Sequence, residues 1–182
     1  MTVAAKARRW MALLALSASA LHAGAAVVAD VAVRNQDGRE LRFNRDLVKG
    51  RLVAINFVFT GCSSVCPLMG ASFASLQQQL GSSAAQVALI SVSLDPLNDT
   101  PARLLEWRNK FSTKPGWTLV TGRYQDIDAL LSSLGAAAPE PASHAPFILI
   151  IDGRSDAPWQ RMDGLADPAA VARVLRQRLQ RR

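Results

Sequence analysis

The chain has 182 residues, of which 49% are apolar, and a formal net charge of +7. That length is one domain's worth and the apolar share is ample for a core. Only two cysteines are present, which excludes a zinc site built from two cysteine pairs.

The first 25 residues stand apart from that core. Lys6, Arg8 and Arg9 form a basic start, Trp10 to Ala20 form an apolar run with small residues, and Ala23-Gly24-Ala25 offers a cleavage site. Residues 1–25 therefore read as a signal peptide and residues 26–182 as the domain, exported to the periplasm. The alternative is an uncleaved membrane anchor, for which the run falls short of the roughly 20 residues that a span needs. Without the leader, 18 Lys+Arg face 14 Asp+Glu, a mildly basic +4, and His22 is lost. A site made of Cys and His then has only Cys62, Cys66 and His144 to draw on.

Val27 to Val33 and Glu40 to Phe43 read as two strands joined through Asn35-Gln36-Asp37-Gly38, an N-terminal hairpin with Asp-Gly as its turn signal. Next comes the apolar run Leu52 to Phe59, with the β-branched and aromatic content of a fully buried strand. It leads directly into Thr60-Gly61-Cys62-Ser63-Ser64-Val65-Cys66-Pro67. Proline suits a first helical position, so the pattern predicts a helix from Pro67 with Cys66 at its N-cap. Leu68 or Met69, Phe73, Leu76 and Leu80 give that helix a buried face. Both sulfurs then lie near a helix N-terminus, whose partial positive charge favours thiolate over thiol.

Three residues separate the cysteines. Residues four apart in a continuous helix have Cβ atoms roughly 5–6 Å apart, whereas a disulfide wants about 3.8 Å. With Cys62 in a loop, an open dithiol, a disulfide and a metal clamp are all reachable. An inert structural disulfide is the bland alternative, but a loop closed by three residues gains little loop entropy.

Gln86 to Ser93 reads as a second buried strand, ended by Asp95-Pro96-Leu97-Asn98-Asp99-Thr100-Pro101. Thr100 caps the helix that Pro101 opens, with Leu104, Leu105, Phe111 and either Trp107 or Arg108 on its face. Trp117 to Thr121 is a short strand and Asp126 to Leu134 a helix. Gly135 to Pro146 is a loop containing His144. It precedes a third apolar strand, Phe147 to Ile151, to which Trp159 to Met162 pairs back antiparallel. Asp167-Pro168 begins the last helix, where Val171, Val174, Leu175 and Leu179 form one face. Its arginines, Arg173, Arg176, Arg178, Arg181 and Arg182, have no aromatic interleaving and read as a solvated face, with no nucleic acid as partner.

Alternating strands and helices predict an α/β sandwich with parallel central strands. Ligands in such sheets gather at the carboxyl ends of the parallel strands, where Cys62, Cys66 and Asp95 fall. His144 precedes its strand, so it reaches that edge only if the strand runs antiparallel, as in the thioredoxin-like arrangement. Two thiolates and an imidazole are a soft, low-coordinate donor set that favours Cu(I), with Cu(II) possible and zinc short of a fourth ligand.

Three stretches together, Phe57 to Pro67, Ser93 to Pro101, and His144 ahead of an apolar strand ending in Asp152-Gly153, resemble the Sco/SenC family over about residues 30 to 180. The resemblance implies a thioredoxin-like sandwich, a central mixed sheet flanked by helices. It implies Cys62, Cys66 and His144 as copper ligands and Asp95 in a supporting role. It further implies a copper-binding chaperone for assembly of the CuA site of cytochrome c oxidase. The partners would be a copper-receiving oxidase subunit or another copper chaperone. The chain itself would be a monomer, touching the membrane only through an uncleaved leader. The competing activity is a thiol-disulfide reductase acting through Cys62 and Cys66, for which His144 is dispensable. The chain departs from the family in having Ser63 where proline is usual and in a short segment between Leu134 and His144. Pro146 stands where thioredoxins place a cis-proline facing their thiols.

Overall fold

The computed structural model describes residues 27–111 and 114–181; the predicted leader lies outside them. Seven strands form one mixed sheet in the order β2-β1-β5-β4-β3-β6-β7. They are β1 (Ala32–Asn35), β2 (Glu40–Arg42), β3 (Leu52–Val58), β4 (Val87–Ser93), β5 (Trp117–Thr121), β6 (Phe147–Asp152) and β7 (Gln160–Asp163). The helices are α1 (Val65–Leu80), α2 (Pro101–Asn109), α3 (Tyr124–Ser133) and α4 (Pro168–Gln180). This is the predicted thioredoxin-like sandwich with its N-terminal hairpin.

The central strands are apolar throughout because both faces of the sheet are covered, which abolishes the polar alternation of a half-exposed strand. All seven residues of β3 are buried. Val53, Ile55 and Phe57 pack with Ile90, Val92 and Val120 against Ile127, Leu130 and Leu131 of α3. Leu52, Ala54 and Val58 point the other way, into a layer with Phe73 and Leu76 of α1, Leu104 and Trp107 of α2, and Val171 and Leu175 of α4. The period of two along a strand thus divides one run of residues between two cores.

Strands β3, β4 and β5 are parallel, so their carboxyl ends share one edge. β6 pairs antiparallel with β3, Leu52 facing Asp152 and Ile55 facing Leu149, and its amino end arrives at that same edge.

Two N-terminal boundaries differ from the pattern reading. The first strand is Ala32–Asn35 and not Val27 to Val33, because the chain pairs as a strand only where β2 and β5 flank it; Val28 is buried in the core without being in a strand. The second strand ends at Arg42, and Phe43–Val48 winds into a π-helical turn that inserts Phe43, Leu47 and Val48 into the core. Apolar spacing at 43, 47 and 48 is the signal for that turn. Gly38, with φ near +80°, makes the Asn35–Gly38 reversal that proper hairpin pairing needs.

Replacing the fully buried Ile55 with alanine removes packing from the central strand. The expected loss is about 2–5 kcal/mol of unfolding free energy, read as a lower urea midpoint at unchanged slope.

Candidate metal and thiol site

The thiol loop begins where β3 runs out. The Cys62 N–H donates to the Phe59 carbonyl at 3.2 Å, closing a turn over Phe59–Cys62. Helix α1 then starts at Val65, with Ser64 as N-cap, two residues earlier than the position of Pro67 suggests. Proline is tolerated there because first-turn N–H groups have no intrahelical partner. Cys66 is therefore not the N-cap but a first-turn residue.

That shift makes the two thiols unequal. Cys66, in the first turn of α1, is only 2% exposed and packed into the core, whereas Cys62 is partly exposed; both are free thiols. The Cys66 N–H donates to the Cys62 sulfur at 3.4 Å, so the sulfur takes the capping position that Ser64's side chain leaves empty. The Ser64 hydroxyl lies 3.6 Å from the same sulfur. Burial pushes the Cys62 thiol up, but donors from the Cys66 thiol, the Cys66 N–H and Ser64 outweigh it and bring the group down to about 7. Burial pushes Cys66 up to about 12, helped by the bond its thiol makes to Cys62. Cys62 is a poised nucleophile and Cys66 a sheltered one.

His144 arrives from the far side. A short helical turn, Pro141–Ser143, is tied by the Ser143 hydroxyl donating to the Glu140 carbonyl at 2.8 Å, and His144 follows it directly. The imidazole lies between two aromatic rings: its centroid is 5.2 Å from that of Phe57 and 5.3 Å from that of Phe147, nearly parallel to the latter. The guanidinium of Arg161 sits 3.5 Å over Phe147. Burial, with the Arg161 charge, holds His144 below its ordinary value, so the ring is neutral at pH 7. Its Nε2 is buried and has no hydrogen-bond partner among the described residues.

One cavity of about 60 Å³ joins these groups; Cys62, Cys66 and His144 all line it, with Phe57, Met69, Leu94 and Pro146 among its walls. The space admits an ion or a few waters. Among the described residues no three His, Cys, Asp or Glu side chains are already drawn together closely enough to hold a metal. The donors share a cavity but are not closed on its centre. The donor set fits a soft ion all the same: two sulfurs, and a neutral imidazole with a buried nitrogen left free.

Asp95 is not a wall of this cavity. Its carboxylate accepts two bonds from Asn98, at 3.0 and 2.8 Å, and shapes its own loop. The buried carboxylate at this edge is Asp99, 1% exposed, which accepts from the Thr60 N–H and hydroxyl and from the Ser93 hydroxyl. Burial pushes its pKa above the usual carboxylate value, against the lowering effect of those three bonds. The sequence carried a signal for it: Thr100 already caps α2, so an acid just before that cap has no capping work of its own. The peptide bond before Pro146 is trans, unlike the thioredoxin feature at that place, although Pro146 does line the cavity.

A thioredoxin-like fold with a C-x-x-x-C loop and a histidine on one cavity defines a class of thiol and soft-metal proteins. The SCO1/SenC family model matches residues 20–180, and the chain belongs to that family. It is 33% identical to the SCO1 protein homolog of Bacillus subtilis over 93 residues, covering 50% of this chain and 47% of that protein. The match thus spans about half the length of that relative. A SCO1/SenC family lipoprotein from Bacillus anthracis is 26% identical with a TM-score of 0.70, over 82% of this chain and 93% of that one. BsSco, described as a member of the Sco family of cytochrome c oxidase assembly proteins with a disulfide switch, is 25% identical with a TM-score of 0.68, over 83% and 92%. ScoI of Bradyrhizobium japonicum, solved with copper bound, has the same fold at 22% identity and a TM-score of 0.68, over 83% and 99%.

The unequal thiols are open to a direct check. Iodoacetamide should label Cys62 alone, at a rate that rises with pH through about 7 as thiolate forms. An inflection at the ordinary thiol value of about 8.5, or equal labelling of Cys66, would contradict the assignment.

Proposed function

We propose that this protein is an exported copper-binding chaperone in which Cys62, Cys66 and His144 hold copper for delivery to the CuA site of a cytochrome c oxidase. The observation that carries the reading is the single cavity lined by both sulfurs and the imidazole, with the Nε2 of His144 buried and free. Copper is cargo here, and Cu(I) is the form that two sulfurs and one imidazole suit best. Family membership and the copper-bound ScoI relative support the metal, and BsSco supports the link to oxidase assembly.

Each donor has a distinct part. Cys62, partly exposed and with its pKa lowered to about 7, is the first sulfur an incoming ion meets. Cys66 must lose its proton on loading, so uptake releases protons and strengthens as pH rises. His144 closes the set by a movement of the Pro141–His144 turn toward the sulfurs, since the donors are not yet converged.

A second reading has its own observation. The partly exposed Cys62, with its lowered pKa, and the sheltered Cys66 match the division of labour of a dithiol reductase, in which the first attacks a disulfide and the second resolves it. Such an activity would keep the receiving cysteines of an oxidase subunit, or of another copper protein, reduced before metallation. Export to the periplasm rests on the leader at residues 1–25; among the described residues no helix is long and apolar enough to cross a membrane.

Copper stoichiometry on the reduced, leader-free protein tests the chaperone. Wild type should take up about one Cu(I). Serine at position 62 or 66 should lower affinity by a hundredfold or more, and His144→Ala by at least about tenfold, with disulfide reduction retained. A His144→Ala variant with unchanged copper affinity and unchanged reductase activity would leave the reductase as the function.

A further inference from the structure

We infer that Asp99 is the positioning residue of the thiol loop, clamping it to the end of β4 and so setting where Cys62 stands relative to Cys66 and His144. This rests on the proposed chemistry of that cysteine pair. The loop has little else to hold it. Gly61, Ser63 and Ser64 are exposed, and Ser63 brings none of the stiffness of a proline. Among the described residues, three side-chain hydrogen bonds tie Thr60–Ser64 to other elements: the Thr60 N–H and hydroxyl both donate to Asp99, and the Cys66 N–H, in the first turn of α1, donates to the Cys62 sulfur.

The clamp is built from three segments of chain. Oδ1 of Asp99 accepts the Thr60 N–H at 2.9 Å and the Thr60 hydroxyl at 2.6 Å. Oδ2 accepts the Ser93 hydroxyl at 2.6 Å, from the last residue of β4. Asp99 is itself fixed, because its N–H donates to the Asp95 carbonyl at 2.8 Å and the Asp95 N–H donates to the Ser93 hydroxyl at 3.0 Å. Leu94, between them, donates its N–H to the Val58 carbonyl at 2.9 Å, extending the β3 ladder to the foot of the loop.

The choice of residue has a physical cost that a mere filler would avoid. A carboxylate 1% exposed, with no ion-pair partner among the described residues, is expensive to bury. Three donors offset that cost, and two of the three come from one residue that lies two positions before Cys62. Carboxylates that orient a ligating loop in this way typically change metal affinity by 10–100-fold when removed. What the clamp needs is an oxygen at Oδ1 facing Thr60; the charge is secondary.

The test compares Asp99→Ala with Asp99→Asn, which keeps an oxygen for Thr60 and an amide that can donate to Ser93. Two readouts are taken well below the thermal midpoint of each variant. One is the rate at which Cu(I) passes to a competing chelator; the other is the equilibrium of the Cys62–Cys66 disulfide with dithiothreitol. Asp99→Ala should release copper about 10–100-fold faster and shift the disulfide equilibrium toward the dithiol, while Asp99→Asn stays near wild type on both. Should Asp99→Ala fail to fold, Thr60→Val, which removes only the hydroxyl arm, should move both readouts the same way by about three- to tenfold. Wild-type values in Asp99→Ala, or in Thr60→Val, would overturn the clamp, as would Asp99→Asn behaving like Asp99→Ala. If wild type takes up no copper, the chaperone reading fails by itself, and the dithiothreitol equilibrium still decides the role of Asp99.

Discussion

The antiparallel run of β6 against β3 is the constraint on which the site depends. Cys62 and Cys66 leave the carboxyl end of β3, and His144 enters the amino end of β6; only opposed strands bring these two ends together. The pairing of Leu52 with Asp152 and of Ile55 with Leu149 carries the two chains forward until the rings of Phe57 and Phe147 meet, centroids 4.8 Å apart. The imidazole of His144 rests on both. Sheet register, not any bond to the ring itself, therefore decides where the nitrogen stands.

The same edge separates the two sulfurs by a simple device. Helix α1 begins at Val65, which drives Cys66 into the core and leaves Cys62 outside the helix, accepting the Cys66 N–H. Burial disfavours the thiolate of one cysteine, and the donors around the other favour it. An asymmetric pair can serve both soft-ion binding and thiol exchange, since each begins with one accessible thiolate and finishes with a second sulfur held close by. The aromatic surroundings of His144 act in a related way, burying the ring so that its pKa is lowered, while its Nε2 has no partner among the described residues.

Much of the frame was legible in the residues themselves. Trp117 to Thr121 was bounded to the residue, Thr100 does cap α2 through a bond from the Arg103 N–H, and Asp167 does cap α4. These are local signals, in which a side chain and its immediate backbone suffice. Where the reading slipped, the deciding contact lay elsewhere in the chain. The first strand is placed by β5, more than eighty residues away, and the Phe43–Val48 turn by a core that waits to be filled. Asp95 and Asp99 look alike as letters in one loop. Only the packed structure turns the first toward Asn98 and the second beneath Thr60.

The sequence by itself determined the chemistry at hand: which soft donors exist, that two of them follow a buried strand, and that strands and helices alternate, because side-chain identity and periodicity are local properties. Tertiary structure alone decided that the imidazole of His144 shares their cavity, which sulfur is sheltered, and which acid accepts from Thr60. Those facts are distances between segments far apart in the chain, and they exist only once the sheet has chosen its order and register.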